Sequence, residues 1–370
     1  MKVLVTGGAG FIGSFLTDEL IRKGHRVTVF DNLEPQIHHG KKPSYLNPKA
    51  RFVKADITDP QPLDVVLRDI DIIFHEAAMI GVGQSMYQIG KYTKVNTYGT
   101  ALLLDLVVNK HRNHIKKIIV AASMSEYGEG LYRCEKCGNI KPLLRKESQL
   151  EKQQWEVSCP NCNLILRPKP TPETTPLECN SIYALNKRDQ EDMSLTIGKT
   201  YKIPTVALRY FNVYGPRQSL SNPYTGVAAI FISRIKAGKS PVVFEDGKQS
   251  RDFISVHDIV SANISVMADK RADYQTFNVG SGKKITITAL ADLILKTMKS
   301  KIPIRIENRF RKGDIRHCFA NIKKITKTLG WSPKTSREQG MKELIDWSIN
   351  ADSKDFFDEA RQILQQKGVL

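Results

Sequence analysis

The sequence predicts an α/β protein with a doubly wound parallel sheet, a smaller α+β lobe and an insertion that carries cysteines. Short apolar runs alternate with amphipathic helical stretches through the first 216 residues, which is typical of a parallel sheet. The alternation stops between residues 131 and 169, where two Cys-x-x-Cys pairs stand in a poorly hydrophobic stretch. These two observations define the architecture, and each element supports it in turn.

The first predicted strand runs directly into a glycine-rich turn and then an amphipathic helix. Gly7 permits the tight turn, Gly10 lets backbone N–H groups approach a pyrophosphate, and Gly13 lets the helix pack closely on the sheet. A second strand at 26–30 ends in Asp31, where an acidic residue would bond the adenosine ribose hydroxyls. The order predicts a Rossmann-type dinucleotide pocket, and disfavours a glycine turn of some other α/β protein.

Later apolar runs extend this plan along the chain. Further strands are predicted at 51–57, 70–78, 117–123 and 205–212, with helices at 92–110 and 181–198 and a return strand at 275–280. Residues 1–216 are therefore assigned to the dinucleotide-binding domain, with 250–282 returning to it. Residues 217–249 and 283–370 are assigned to a substrate-binding lobe.

Composition limits the class of protein. The 370 residues are 41% hydrophobic and 25% charged, as expected of a globular protein with room for two lobes. No apolar run is long enough for a membrane span, and the chain starts in a core strand, so we expect no signal peptide and a cytoplasmic protein. The net charge of +18 comes from scattered Lys and Arg. We interpret it as a solvated basic surface; an anionic membrane or nucleic-acid partner is the alternative.

A Ser, Tyr and Lys set provides the second strong signal. Tyr183 and Lys187 lie at i and i+4, on one face of a predicted helix, and Ser123 ends the fifth strand. The lysine ammonium should lower the phenol pKa and bond the nicotinamide ribose, and the positive charge of the nicotinamide should lower that pKa further. The phenolate can then accept a proton from an alcohol while hydride leaves the same carbon. Ser123 would relay or steady that proton. We predict that these three residues are catalytic.

With these motifs the chain resembles the extended short-chain dehydrogenase/reductase family, the nucleotide-sugar epimerases and dehydratases, over nearly all its length except the insertion. Further runs that match the family are 56–57, 77–78, 95–100, 209–217, 251–258 and 313–316. The resemblance implies that NAD is held by Gly7, Gly10, Phe11, Ile12, Gly13, Asp31, Asn32, Asp56, Ile57, Ala77, Ala78, Asn96, Tyr183, Lys187 and Phe211. It implies that Ser123, Asn212, Arg251 and Arg316 contact the substrate, the last three through its diphosphate. A homodimer, formed through the helices at 92–110 and 181–198, is also implied.

The subclass follows from a few positions. Dehydratases of this family place Asp-Glu after the serine, whereas Met124 and Ser125 stand here, so elimination of water is disfavoured. Asp31 would repel a 2′-phosphate, which favours NAD over NADP. The runs 81–87 and 123–132 are similar to those of dTDP-L-rhamnose 4-epimerase-like proteins.

The resemblance thus implies NAD-dependent epimerisation of a nucleotide-diphosphate sugar at C4 through a transient 4-keto intermediate, with a substrate of the dTDP-L-rhamnose or UDP-glucose/galactose type. A nucleotide-sugar reductase or decarboxylase of the same family is the nearest alternative. From a different class, the alternative is a catalytically silent dinucleotide sensor that binds nucleic acid. The presence of Ser123, Tyr183 and Lys187 argues against the sensor and against nucleic acid as a partner, because a sensor needs none of these residues.

The insertion carries the third signal. Cys134 and Cys137 form one pair, and Cys159 and Cys162 form another, with 21 residues between the pairs. Two such pairs complete a tetrahedral zinc site with no open position, so the predicted insertion is zinc-ribbon-like and its ion structural. Two disulfides, or free thiols, are the alternatives, and a cytoplasmic protein disfavours disulfides.

Overall fold

The computed structural model describes residues 1–370, and a seven-stranded parallel sheet forms its centre. The order of the strands is β13 (Gln275–Val279), β9 (Thr205–Tyr210), β5 (Lys117–Ser123), β4 (Ile72–His75), β1 (Lys2–Thr6), β2 (Arg26–Asp31) and β3 (Arg51–Lys54). This order, which reverses direction between β1 and β4, confirms the predicted doubly wound parallel sheet. The predicted return strand pairs in parallel with β9, and so rejoins the sheet.

Both faces of the sheet are covered because its strands are apolar throughout. In β1, Val3 and Val5 face one core while Leu4 faces the other, and all three side chains are fully buried. The first core contains side chains of α1 (Phe11–Arg22), α10 (Val256–Ala268) and α12 (Lys323–Leu329). The second contains side chains of α3 (Pro60–Leu67) and α6 (Gly99–Leu106), and α8 (Ile182–Tyr201) packs against it.

Several short helices stand at the carboxyl edge of the sheet or beside it. They are α2 (Pro35–His38), α4 (Val82–Ser85) and α5 (Ile89–Thr93). The helix predicted at 92–110 is observed as α5 and α6 joined by a π-helical turn at Lys94–Tyr98, with a second such turn at Val107–His111. None of the helices is both long and apolar enough to cross a membrane.

The smaller lobe has its own core. Its main sheet contains β10 (Asn212–Tyr214), β12 (Ser250–Ser255), β14 (Lys284–Thr286) and β16 (His317–Cys318), and a second pair is β11 (Val242–Val243) with β15 (Arg305–Ile306). Helices α9 (Val227–Lys236), α11 (Ile287–Thr297) and α13 (Arg337–Ile349) enclose this core, and α14 (Phe357–Gln366) follows them. Two segments differ from the predicted division: β12 pairs within this lobe, and α12 packs on the main sheet.

The insertion folds as a small separate unit. Strands β6 (Leu131–Cys134), β7 (Gly138–Ile140) and β8 (Arg167–Lys169) form an antiparallel sheet in the order β7-β6-β8, and α7 (Glu147–Glu151) lies between β7 and β8 in the chain. Its core consists of only five buried residues, two of which are Cys134 and Cys159. So small a core needs a further cross-link to be stable.

Candidate active site

A cavity of about 620 Å³ lies between the carboxyl ends of the main strands and the smaller lobe. This is where ligands of open α/β sheets bind. Most of the predicted site residues line it: Gly7, Gly10, Phe11, Ile12, Gly13, Asp31, Asn32, Ile57, Ala77, Ala78, Ser123, Tyr183, Phe211, Asn212 and Arg251. Asp56, Asn96, Lys187 and Arg316 do not line it, and each is held by other contacts.

The glycine turn has the geometry of a pyrophosphate cradle. Gly7 has a φ of +68°, which favours glycine, and a Cβ added at Gly13 would lie 2.3 Å from the carbonyl oxygen of Gly7. No side chain caps the first turn of α1, whose residues Phe11, Ile12 and Gly13 line the cavity. The N–H groups of that turn are therefore available to an anion in the cavity, which fits a dinucleotide.

Asp31 is fixed at the end of β2. One carboxylate oxygen accepts from the Ala9 N–H at 3.0 Å, and the other from the Leu33 N–H at 2.8 Å. Each oxygen keeps a lone pair for a ribose hydroxyl. Asp56 accepts from the Asn32 amide at 2.8 Å, so in this structure it positions Asn32 from behind the cavity wall.

Asn96 and Lys187 also lie behind the residues that line the cavity. The Asn96 amide accepts from the Met79 N–H at 2.7 Å and donates to the Met79 carbonyl at 3.1 Å, which fixes the backbone just after Ala78. The Lys187 ammonium donates to the Ala121 carbonyl at 2.7 Å and to the Gln190 side chain at 2.9 Å.

The proton chemistry of the site differs from the expectation in one respect. Burial raises the pKa of Tyr183 to about 12, although interaction with the Ser123 hydroxyl lowers it in part. Burial lowers the pKa of Lys187 to about 8, while Glu76 and Glu126 raise it. In the protein alone, burial outweighs any lowering of the phenol pKa, and Lys187 is not among the groups that shift it. A reactive phenolate requires a further positive charge on the cavity side of Tyr183.

Ser123 is held by neighbours that the sequence interpretation missed. Its N–H donates to a Glu126 carboxylate oxygen at 2.8 Å, and its hydroxyl oxygen accepts from the Ser125 hydroxyl at 2.8 Å. The Ser-x-x-Glu spacing is a capping-box signal that could have indicated Glu126. Tyr183 lies in the first turn of α8, next to α4, since its N–H donates to the Ser85 hydroxyl at 3.1 Å.

Four arginines line the cavity, namely Arg217, Arg251, Arg311 and Arg361, but Arg316 is not one of them. Arg251 lines it and donates to the carbonyl oxygens of Ile315 at 2.7 Å and Arg316 at 3.0 Å. Arg316 is fully buried, with its guanidinium paired to carboxylates at 2.6–2.8 Å, so it is not available to a substrate in this structure. Arg311, on the other side of the Gly313 turn, lines the cavity.

Two contacts hold the side chain of Arg311 in place. Its guanidinium pairs with Asp314 at 2.8 Å and lies 4.9 Å from the centre of the Phe244 ring. Asn212 lines the same cavity, and its buried side-chain oxygen has no hydrogen-bond partner. This oxygen is therefore free to accept a hydrogen bond from a donor in the cavity.

Glu76 is a further buried acid that lines the cavity. It accepts from the Tyr210 hydroxyl at 2.8 Å, and Asn263 donates to that hydroxyl at 2.7 Å. Burial raises the pKa of Glu76 to about 7, while Tyr210 and Lys187 lower it. Glu76 follows β4 directly, and a charged residue at a strand end was the signal available in the sequence.

The four cysteines of the insertion meet at one point, away from the cavity. Their sulfur atoms all lie within 4.8 Å of one another, and no carboxylate or imidazole joins the group. Gly138, with φ +78°, follows the first Cys pair, and Asn163, with φ +60°, follows the second. The backbone thus makes the same tight turn after each pair. Two equivalent turns that direct four thiolates inwards fit one tetrahedral metal ion.

Fold and site together define a Rossmann protein with a Ser–Tyr–Lys set beside its dinucleotide cradle. The model described as "NAD dependent epimerase/dehydratase family" matches residues 3–148, and that described as "GDP-mannose 4,6 dehydratase" matches residues 166–344. The dTDP-L-rhamnose 4-epimerase of Burkholderia thailandensis is 36% identical over 94% of this chain and 94% of its own length. The chain therefore belongs to the NAD-dependent epimerase/dehydratase family, the extended short-chain dehydrogenases/reductases, as the sequence predicted.

Solved structures agree with this membership. The UDP-glucose 4-epimerase of Thermotoga maritima, solved with UDP-glucose, is 30% identical with a TM-score of 0.77, and the match covers 94% of this chain and 99% of that one. The UDP-glucuronic acid 4-epimerase of Bacillus cereus, solved with UDP-glucuronic acid and NAD, is 25% identical with a TM-score of 0.77, over 94% and 98% of the two chains.

Proposed function

We propose that this protein is an NAD-dependent 4-epimerase of a nucleotide-diphosphate sugar. The observation that carries the proposal is that one cavity is lined by the glycine cradle, Ser123, Tyr183 and Arg251. A proton acceptor thus stands between a dinucleotide site and a cation for the substrate's diphosphate. The names of the relatives reported above support the same reaction. Met124 and Ser125, which follow Ser123, cannot supply the acid and base that elimination of water would need.

The chain's own residues would hold the reactants and move one proton. When bound, NAD would accept a hydride from the sugar C4 and return it to the opposite face. Tyr183 would take the C4 hydroxyl proton as the hydride leaves, and return it as the hydride comes back. Ser123, held by Ser125 and Glu126, would steady that hydroxyl. Lys187, which is hydrogen-bonded to the end of β5, would fix the position of the helix that carries Tyr183.

The diphosphate would be the fixed point about which the sugar turns. We assign it to Asn212, whose side-chain NH2 can donate to a phosphate oxygen, and to Arg251 and Arg311, which line the same cavity. A planar guanidinium makes paired, charge-assisted bonds to phosphate oxygens. An epimerase needs such an anchor, since both faces of C4 must reach the same hydride site.

The wall near Tyr183 favours a sugar without a charged C6 group. Ile80, Val82 and Met86 line it from the main domain, and all three are at least 40% exposed in this structure. Leu364 of α14 closes it from the other lobe, 3.3 Å from a Cβ added at Gly83. A methyl group would be buried favourably there, whereas a carboxylate would lose its hydration. We therefore infer a 6-deoxy sugar of the dTDP-L-rhamnose type rather than a uronic acid.

The four-cysteine cluster would hold one structural zinc ion. Four thiolates fill the tetrahedral shell of zinc, so no position stays open for an activated water. The cluster lies in the insertion rather than in the cavity, and the hydride mechanism needs no metal. The ion would replace the hydrophobic core that the insertion lacks.

Two protomers would pair through α5–α6 and α8. These helices pack side by side, and Thr97 donates to Asp189 at 2.8 Å between them. Their outer surface leaves Ile89, Tyr98 and Leu185 between 45% and 52% exposed. Apolar side chains on adjacent helices favour a two-fold four-helix contact. Light scattering at micromolar concentration should give a dimer mass, and a monomer mass would contradict this assignment.

The reaction can be tested directly. Purified protein is incubated with a panel of UDP- and dTDP-sugars, and the C4 isomers are followed by NMR without added cofactor. We expect one pair of isomers to equilibrate, with no net oxidation of NAD added in a second series. Net turnover of added NAD(H) or release of CO₂ would instead identify a reductase or a decarboxylase. No product from any sugar, together with salt-sensitive binding of DNA or RNA, would favour the sensor.

A further inference from the structure

We infer that the four-cysteine insertion positions Arg251 for the diphosphate, and that Glu156 and Arg316 transmit its position. The inference rests on the proposed role of Arg251 in substrate binding. Its basis is an ionic cluster between the insertion and the smaller lobe, with Arg316 buried at its centre and Glu156 partly exposed at its edge. The members of this cluster are Glu129, Arg145, Glu156, Glu245, Asp246 and Arg316.

Arg316 is the centre of the ionic cluster. Its guanidinium lies 2.6 Å from Glu156 of the insertion, 2.8 Å from Glu245 and 2.7 Å from Asp246 of the lobe. The side chain of Arg316 is completely buried, so these carboxylates replace its water. A buried charge is stable only while its partners remain in place. The position of Arg316 therefore depends on Glu156 of the insertion as well as on Glu245 and Asp246 of the lobe.

Two further contacts join the insertion and the residue next to it to the segment that contains Arg316. Arg145 pairs with Glu245 at 2.8 Å and donates to the Asp314 carbonyl at 3.1 Å. Glu129, just before the insertion, accepts from the Arg316 N–H at 2.6 Å. The backbone of residues 314–316 is thus bonded from both sides by groups in or next to the insertion.

This backbone is what orients Arg251. The Arg251 guanidinium donates to the carbonyl oxygens of Ile315 and Arg316, and to the carbonyl oxygen of the adjacent Ser250 at 2.9 Å. The guanidinium keeps other N–H groups for the cavity that it lines. A shift of Ile315 and Arg316 would rotate the guanidinium away from the phosphate oxygens. Arg316 and Glu156 are therefore positioning residues that act through Arg251.

The test measures binding of UDP and dTDP, without sugar, by calorimetry to the full-length protein. We expect Arg251→Ala and Glu156→Gln each to raise the Kd at least about fivefold, since each removes or misdirects a charged hydrogen bond. In the double variant we expect no rise beyond that of Arg251→Ala. Glu156→Asp, which keeps the charge, should recover part of the affinity. In the epimerase assay Glu156→Gln should raise KM and leave kcat nearly unchanged.

Glu135→Gln is the matched control. It makes the same change in the same insertion, but Glu135 is exposed and pairs only with Arg167 of β8. It should bind UDP and dTDP like the wild type, and NAD affinity should be unchanged in every variant. Equal Kd values for Glu156→Gln and the wild type would overturn the inference, as would additive effects in the double variant. In either case a raised Kd for Arg251→Ala would leave the proposed function standing. If Arg251→Ala itself binds normally, both the anchor role of Arg251 and this inference fail.

Discussion

Removal of the Tyr183 hydroxyl tests the proposed proton acceptor. Tyr183→Phe deletes one oxygen and leaves the ring, so it opens no cavity and should cost at most about 1 kcal/mol of stability. The general base contributes about 10²–10⁴ to the rate, so we expect kcat to fall by at least about 100-fold, or about 2.7 kcal/mol. Bound NAD should be retained, because the glycine cradle and Asp31 are untouched.

The pKa of Tyr183 sets the pH dependence of the same step. At pH 8 a phenol whose pKa is about 12 is ionised in about one molecule in 10⁴. A bound cation that lowers this pKa increases the phenolate, so the rate should rise with pH until the apparent pKa of the loaded enzyme is reached. A titration of the phenol absorbance, with Tyr183→Phe as the blank, should show the pKa fall when NAD is added.

Tyr201→Phe is the control for both measurements. Tyr201 ends the same helix, α8, and is 39% exposed, so its loss should change neither the rate nor the part of the absorbance change that depends on NAD. The assay is isomer formation at C4, followed by NMR with the sugar that the panel identifies, together with the NAD content of each purified variant. A rate for Tyr183→Phe within about tenfold of the wild type would remove Tyr183 from the general-base role.

Three further outcomes are expected. Gly13→Ala places a Cβ 2.3 Å from the Gly7 carbonyl oxygen, so it should destabilise the protein by about 1–3 kcal/mol in urea unfolding and weaken NAD binding in calorimetry. Gly90→Ala is the control, because a Cβ there has nothing within 4 Å, and it should change neither quantity. Hydrogen bonds from His317 and Arg316 hold the pKa of Glu156 at about 2, below its ordinary 4.5, so this carboxylate stabilises the fold above pH 4.5 and loses that effect as the pH falls towards 2. Between pH 4.5 and 2 the stability of Glu156→Gln should therefore fall less steeply than that of the wild type in acid unfolding. Elemental analysis should find about one zinc per chain, and Cys159→Ser should lose it and raise the sugar KM while NAD still binds; protein purified without chelator and free of zinc would contradict the metal.

The sequence alone predicted those features that depend on neighbours in the chain. Strands that are apolar on both faces predicted the parallel sheet, since a strand such as β1 must be buried on both sides whichever strands pair with it. The glycine spacing predicted the cradle, because Gly7 and Gly13 meet within one turn. The two Cys-x-x-Cys pairs predicted the cluster, because short local turns bring each pair together.

Tertiary structure decided the features that depend on distant partners. The family resemblance implied Arg316 as a phosphate ligand, but its buried guanidinium pairs with Asp246, Glu245 and Glu156, which lie 70, 71 and 160 residues away in the chain. Arg311, which precedes the turn at Gly313 with φ +82°, lines the cavity, whereas Arg316 does not. Spacing along a chain shows which residues share an element, whereas a charged side chain is placed by the partner that compensates its burial, and only the folded chain determines that partner.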